Sequence, residues 1–292
     1  MEKVIIIGAG PAGISAALYA VRGNLDPLVI NNGIGALEKA EKIENYYGLE
    51  HPLSGQELYD TGIAQAKALG VRILDAQVLG VGGFDTFVVK TTEGEFETQS
   101  LILATGSKRA APKIPGVKEF EGKGVSYCAI CDAFFYRGKD VAVLGNSDFA
   151  LHEAEELSHT ASHVTIFTDG KKPEFSKENA IDVNTMKIQA IEGDERVQGL
   201  RLKGDVSLQE AGEPQTSFAP AEGVFVALGT AGSSEMARQI GAELNEKGNI
   251  RVNEEMETTV PGLYAAGDCT GGLLQVAKAV HDGAQAGLSA CQ

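Results

Sequence analysis

Two thiols separated by two residues and followed at once by a carboxylate, Cys128-Ala129-Ile130-Cys131-Asp132, are the part of this chain best equipped for chemistry. The C-x-x-C spacing brings both sulfurs within bonding reach, so the pair can close to a disulfide and reopen. It also lowers one thiol pKa enough for a thiolate to exist near neutral pH. The Asp132 carboxylate can hold or supply a proton if burial raises its pKa; in a solvated turn it would do neither. The same spacing is half of a zinc site, which needs three or four ligands. Cys269 and Cys291 stand alone, and His51, His152, His159, His163 and His281 show no ligand spacing with the cysteines. No metal is expected.

A second constellation lies at the start. Val4 to Ile7 reads as a buried strand, Gly8-Ala9-Gly10-Pro11-Ala12-Gly13 matches G-x-G-x-x-G, and Ile14 to Val21 continues as a helix. Gly8 makes the turn, Gly10 lets a pyrophosphate approach the backbone, and Gly13 lets helix and strand pack closely. The helix start then presents unpaired N–H groups to the phosphates. The next strand, about Pro27 to Ile30, ends in Asn31-Asn32 where a ribose-binding acid is usual, and asparagine can still accept a ribose hydroxyl hydrogen bond. Near the other end, Gly262 to Asp268 reads as a strand closing on a glycine and an aspartate, followed by a helix from Gln275 to Ala290. That order places Asp268 on a ribitol hydroxyl and the helix start near a flavin's pyrimidine edge; a plain helix cap is the alternative for Asp268.

These parts need a scaffold. At 292 residues the chain exceeds the usual size of one core, and 36 glycines with 43% hydrophobic residues suit a two-domain α/β protein rich in tight turns. A net charge of −15 argues against nucleic acid or an anionic membrane as partner. No long apolar run or export signal is visible, and the sparse cysteines suit a reducing cytoplasm.

Together, Gly8 to Gly13, Glu44-Asn45 before Gly48, Leu103-Ala104-Thr105-Gly106, the cysteine segment with its tail Phe134-Phe135-Tyr136-Arg137-Gly138-Lys139, and Gly267-Asp268 resemble the low-molecular-weight thioredoxin reductase family over nearly the whole chain. The resemblance implies an α/β fold of two Rossmann-like three-layer domains of the FAD/NAD(P)-binding type, the second inserted into the first. Residues 1–113 and 229–292 would form the FAD domain, and 114–228 a central redox-disulfide domain. It further implies bound FAD, thioredoxin as partner, a cytoplasmic homodimer, and a flavin-dependent thioredoxin-disulfide reductase activity. Cys131 would be the sulfur nearest the flavin, Cys128 the one that attacks thioredoxin, and Asp132 the acid. FAD contacts are carried to Gly8, Gly10, Pro11, Ala12, Gly13, Asn31, Asn32, Gly35, Ala36, Asn45, Ala104, Thr105, Gly106, Gly267, Asp268, Gln275 and Val276.

The central domain departs from the family pattern. Val141 to Leu144 runs into Gly145-Asn146-Ser147-Asp148-Phe149-Ala150 and a helix from about Leu151 to Ser158, where the family's G-x-G-x-x-A turn holds NADPH. Ser147 fills the place of the second glycine and takes the space a pyrophosphate needs. The next strand ends in Thr168-Asp169-Gly170 instead of the family's His-Arg-Arg cluster, and an aspartate repels a 2′-phosphate. The family's Arg-Gln pair appears as Leu274-Gln275. A reduced ferredoxin, needing no nucleotide site, is the favoured donor; NADPH through a divergent site, or NADH with Asp169 on a free ribose, are the alternatives. A non-catalytic flavin redox sensor is the rival from another class. Hinges are expected at Ala110 to Gly116 and Ala227 to Thr230. Between Thr105 and Asp140, seven basic residues (108, 109, 113, 118, 123, 137, 139) against four acids form a basic island suited to acidic partners.

Overall fold

Four aliphatic residues with no exposed face, Val4–Ile7, open the computed structural model as β1 and set the plan for the first unit. The structure describes residues 1–83, 85–106, 112–203, 216–229 and 232–292. Ala110 and Ala111 of the first expected hinge, Thr230 of the second, and Lys108 and Arg109 of the basic island lie outside them.

After β1 come α1 (Pro11–Arg22), β2 (Pro27–Asn31), α2 (Gly55–Ala68), β3 (Arg72–Asp75), β4 (Val78–Gly82), β5 (Phe87–Thr91), β6 (Gly94–Thr98) and β7 (Leu101–Leu103). The middle of the chain supplies β8 (Val125–Ser126), the single turn α3 (Ala129–Asp132), β9 (Asp140–Leu144), α4 (Asp148–Ser158), β10 (His163–Phe167) and β11 (Asp182–Asn184). It continues with β12 (Lys187–Gly193), β13 (Val197–Lys203), β14 (Thr216–Pro220) and β15 (Gly223–Val226). The last stretch adds α5 (Ser233–Gln239), β16 (Leu263–Ala265) and α6 (Val276–Ser289).

The chain divides into two units, Met1–Arg109 with Gly232–Gln292, and Ala110–Ala231. Each holds a five-stranded sheet, in the order β16-β7-β1-β2-β3 in the first and β11-β10-β9-β15-β8 in the second. Every pairing within the two sheets is parallel. Each unit also carries a three-stranded antiparallel sheet, β4-β5-β6 or β12-β13-β14. This is an α/β fold of two Rossmann-like units, as the sequence pattern predicts.

Alternate faces of the first sheet are both buried: Val4, Ile6 and Ile102 pack with α1, while Ile5, Leu101 and Leu103 are equally hidden on the other side. A parallel sheet covered twice needs continuous apolar strands, which explains the unbroken Val-Ile-Ile-Ile of β1. Small residues let α1 and α6 approach closely. A Cβ on Gly283 would lie 2.0 Å from Ala12 O, and one on Gly287 2.3 Å from Ala16 O. Because the strands run parallel, their carboxyl ends share one edge, the edge where doubly wound sheets bind ligands. Gly8, Asn32, Ala104 and Ala266 directly follow the strands there in the first unit; Gly145, Thr168 and Ala227 do so in the second, and Cys128 comes two residues after β8. Some bounds differ from expectation: β2 runs through Asn31, α4 begins at Asp148, and Gln275 caps α6 without belonging to it.

Candidate active site

In the first unit the turn from β1 to α1 is built for a ligand. Gly8 has φ +109°, and a Cβ there would meet Ala104 O at 2.4 Å. A Cβ on Gly13 would meet Gly8 O at 1.8 Å, so helix and turn can close only around a bare backbone. Gly10 is different: a Cβ there would meet no atom of the described residues within 4 Å. Its bareness serves no packing inside the protein and leaves space in front of α1, whose start has no side-chain cap. An uncapped helix N-terminus behind an open glycine suits a pyrophosphate, so these residues fit FAD.

Around that turn the structure gathers several other residues nominated from sequence. Asn45 Nδ2 donates to Gln275 Oε1 at 2.9 Å, joining positions 230 residues apart. Thr105 Oγ1 lies 2.5 Å from Ser233 Oγ, whose oxygen also accepts the Thr105 N–H. Asn32, Gly35 and Ala36 are exposed beside them in sequence, the last two in a 3-10 turn. Asn31 is engaged by the protein itself: its Oδ1 accepts from Tyr59 at 2.9 Å and its Nδ2 donates to Asp75 at 2.6 Å. The Gly267 N–H donates to the buried Asp282, which Lys278 neutralises at 2.7 Å. Asp268 is half-buried and burial raises its carboxyl pKa, with Lys278 opposing the shift. No side-chain hydrogen bond caps either helix start near it, which leaves the capping alternative without support.

The second unit carries the thiol pair, closed as a Cys128–Cys131 disulfide at the head of α3. Cys128 is the N-cap, and its Sγ accepts the Cys131 N–H at 3.2 Å. Cys128 is buried at 3% exposure while Cys131 is exposed. Ser126 binds both partners of the motif: its hydroxyl donates to Asp132 Oδ2 at 2.6 Å and accepts the Cys128 N–H at 3.2 Å. Asp132 is thus tied to the cysteine segment and is no free turn residue. Immediately beyond, Phe134 and Phe135 are 71% and 66% exposed, with the Arg137 guanidinium 5.5 Å over the Phe134 ring.

The second strand-to-helix turn is occupied by the protein. Ser147, in the second glycine's place, donates its hydroxyl to Gly229 O at 3.0 Å. The segment after β10 returns across the turn: Glu174 pairs with Ser147 as a β-bridge and donates its N–H to Asn146 O at 2.7 Å. Asn146 Nδ2 reaches Lys172 O, and Asp148 accepts the Ser176 N–H at 2.8 Å. Asp169 is spoken for as well, accepting the Ile188 N–H at 2.9 Å with Lys187 at 3.6 Å. The Asp169 carboxylate, expected to meet a free ribose if NADH is the donor, thus serves β12 in this structure.

Comparison with known proteins gives these parts a family. The description "Pyridine nucleotide-disulphide oxidoreductase" matches residues 2–283. A thioredoxin reductase of Aquifex aeolicus is 39% identical over 91% of this chain and 84% of its own. The solved atypical thioredoxin reductase of Desulfovibrio vulgaris Hildenborough is 39% identical with a TM-score of 0.88, covering 99% of this chain and 97% of that one. A ferredoxin-flavin thioredoxin reductase of Clostridium acetobutylicum is 32% identical with a TM-score of 0.71, covering 99% and 96%. The chain belongs to the pyridine nucleotide-disulphide oxidoreductase family, among its thioredoxin reductases. It is therefore a flavin-dependent oxidoreductase whose cofactor is FAD.

Sequence reasoning missed four supporting residues of this reductase. Ser233, Asp282 and Lys278 brace the first unit's carboxyl edge; Glu153, 1% exposed on α4, accepts the Ala129 N–H at 2.6 Å between the two cysteines. The one available signal was a carboxylate on a helix face otherwise lined by Phe149, Ala150, Ala154 and Leu157. Cys269 is buried apart from the thiol pair, and burial raises its thiol pKa to about 11.

Proposed function

We propose that the protein reduces the disulfide of thioredoxin with electrons from a reduced ferredoxin. The observation that carries the reading is the pairing of an open glycine turn in one unit with a closed Cys128–Cys131 disulfide in the other. The first unit would hold FAD: Gly8, Gly10, Pro11, Ala12 and Gly13 at the pyrophosphate, Asn32, Gly35 and Ala36 toward the adenosine, and Asn45, Ala104, Thr105, Gly106, Gly267, Asp268, Gln275 and Val276 toward the ring. When bound, FAD supplies the electron pair that the disulfide accepts.

The protein's own residues do the rest. With the S–S bond opened, the Cys131 N–H that already points at Cys128 Sγ stabilises a thiolate there, which favours Cys128 as nucleophile. Its attack forms a mixed disulfide and expels one thioredoxin sulfur as thiolate. Asp132, held by Ser126, is placed to give that sulfur its proton. Cys131 thiolate then attacks Cys128 Sγ, releases the second thioredoxin sulfur and restores the disulfide. Two electrons leave with thioredoxin; one proton comes from Asp132 and the other from solvent, which also reprotonates Asp132. Cys128 is buried, so the exchange requires a displacement that uncovers it. The exposed Ile130, Phe134 and Phe135 beside it offer thioredoxin an apolar surface.

Ferredoxin is our reading for the donor because Ser147 and the chain from Lys172 to Ser176 lie across the second turn, where a pyridine nucleotide's pyrophosphate would approach. The ferredoxin-flavin enzyme of Clostridium acetobutylicum, similar over 99% of this chain, supports that reading. Two one-electron transfers then make up each pair. A homodimer in a reducing cytoplasm is the reading that the family resemblance supports.

The test has two arms. Cys128→Ser and Cys131→Ser should each abolish thioredoxin reduction while the yellow FAD band is retained; full activity in either variant refutes the relay. Anaerobic bleaching of that band should be fast with reduced ferredoxin and absent with NADPH and NADH. Fast bleaching by either nucleotide overturns the donor assignment and leaves the dithiol chemistry intact.

A further inference from the structure

A carboxylate sits one peptide unit from the redox sulfur, and nothing in the exchange chemistry above uses it. Glu153 lies on α4, 1% exposed, and its Oε2 accepts the N–H of Ala129 at 2.6 Å. Ala129 is fully buried and directly follows Cys128. We propose that Glu153 is a positioning residue that fixes the first turn of α3 and, by its charge, keeps the Cys128–Cys131 pair strongly reducing.

The positioning follows from the hydrogen bonds. The head of α3 has two satisfied N–H groups, Ala129 to Glu153 and Cys131 to Cys128 Sγ. The first anchors the backbone to α4, and the second points a donor at the sulfur. Without the Glu153 anchor, the Ala129 N–H would be buried without its acceptor, a cost that loosens the turn carrying both cysteines.

The charge acts on the redox equilibrium. Opening the disulfide takes up two electrons and one or two protons, and leaves negative charge or a bound proton on Cys128. The Ala129 N–H donated to Glu153 favours its charged form, and a carboxylate charge withdrawn from water repels a thiolate on the neighbouring Cys128 more strongly than a solvated one would. The dithiol form is raised in energy, and the pair gives its electrons onward more readily. Other ionisable groups on the surrounding elements are Asp132 on α3, Tyr136 and Arg137 on the turn after it, Arg196 near Tyr136, and His152 and Glu156 on α4. Asp132 is separately held by Ser126, and the Glu156 carboxylate lies 3.9 Å from His152. Glu153 is the one whose carboxylate binds the backbone between the cysteines.

The inference rests on the dithiol relay proposed above. It is tested by titrating the FAD-loaded protein against a dithiothreitol redox buffer, with thiols counted by alkylation and mass. No thioredoxin or donor is needed, so failure of the relay appears separately, as a wild-type protein that equilibrates with dithiothreitol but never reduces thioredoxin. Glu153→Gln keeps an acceptor for Ala129 and removes the charge. It should move the equilibrium about tenfold toward the dithiol, about 30 mV, and lower the pH midpoint of Cys128 alkylation. Glu153→Asp keeps the charge on a shorter arm and should titrate within about twofold of wild type. Glu153→Met, similar in length and uncharged, should reproduce the Gln shift and also slow thioredoxin reduction, because the anchor is lost; it serves where the Gln variant does not fold. A wild-type equilibrium and pH midpoint in Glu153→Gln or Glu153→Met overturns the proposal, as does a Gln-like shift in Glu153→Asp.

Discussion

The first and second strand-to-helix turns share one constraint and differ in another. A Cβ on Gly8 would lie 2.4 Å from Ala104 O, and a Cβ on Gly145 would lie 2.3 Å from Ala227 O, so each unit needs a bare residue where its strand meets the neighbouring strand's end. Two positions on, the turns part. Gly10 faces space that no atom of the described residues claims, while Ser147 carries a hydroxyl bound to Gly229 and a chain segment paired across it. The glycine at the strand's end is present in both turns, whereas Gly10, which faces open space, has Ser147 as its counterpart. Fold and binding site thus rest on different residues within six positions of sequence.

The largest expected effect lies at the last position of the motif, where the two turns also differ. Gly13→Ala would put a methyl 1.8 Å from Gly8 O, and since backbone must move, it should cost about 3 kcal/mol and strip FAD. Its counterpart already is alanine, and Ala150→Gly should cost only about 1–2 kcal/mol, with FAD retained. Urea unfolding of each apoprotein followed by circular dichroism reads both costs, with retained flavin absorbance read separately; equal costs would show that the turns are packed alike at this position. A smaller effect separates ligand from packing. Gly10→Ser copies Ser147 into the first turn and should weaken FAD about a hundredfold, about 2.7 kcal/mol, by titration of apoprotein, leaving apoprotein Tm unchanged. The reverse change, Ser147→Gly, should give no nucleotide binding, because Glu174 still crosses the turn. NADPH bleaching of the flavin in Ser147→Gly would mean that the serine alone closed the site.

What could be read from sequence was what local pattern dictates. Val4 to Ile7, the glycines after it and the Ala-rich helix announce a strand-turn-helix without help from elsewhere, and Ser147 announces its own damage. Contacts made by distant residues were not legible. Nothing near Ser147 says that Glu174 will lie across it, and nothing near Asp169 says that Ile188 N–H will claim its carboxylate. Asn31 was nominated for a ribose because it ends β2, yet Tyr59 and Asp75, on α2 and β3, take both ends of its amide. Glu153 left one signal, a carboxylate on the apolar face of α4, but its partner was not legible. A carboxylate on a helix reads as a solvated face until the partner helix turn is placed against it, and that turn comes from a segment 24 residues earlier.

The smallest expected effect sharpens the comparison at the two edge aspartates, Asp268 and Asp169. Burial raises the Asp268 carboxyl pKa above its unfolded value. A group that binds its proton more tightly when folded contributes stability in full below the unfolded pKa and loses it as pH rises through the folded value. At neutral pH the apoprotein therefore holds a charged Asp268 at a cost. Asp268→Asn should raise apoprotein Tm at pH 7, by an amount that shrinks as pH falls into the carboxylate range, while weakening FAD if the carboxylate receives a ribitol hydroxyl. Asp169→Asn should do the opposite: its carboxylate is satisfied by Ile188 N–H and Lys187, so the change lowers Tm and leaves flavin and nucleotide responses untouched. Stability against pH, with FAD titration of each apoprotein, distinguishes an aspartate kept for a ligand from one kept for the fold. Loss of both Tm and FAD affinity in Asp268→Asn would assign it to the fold as well.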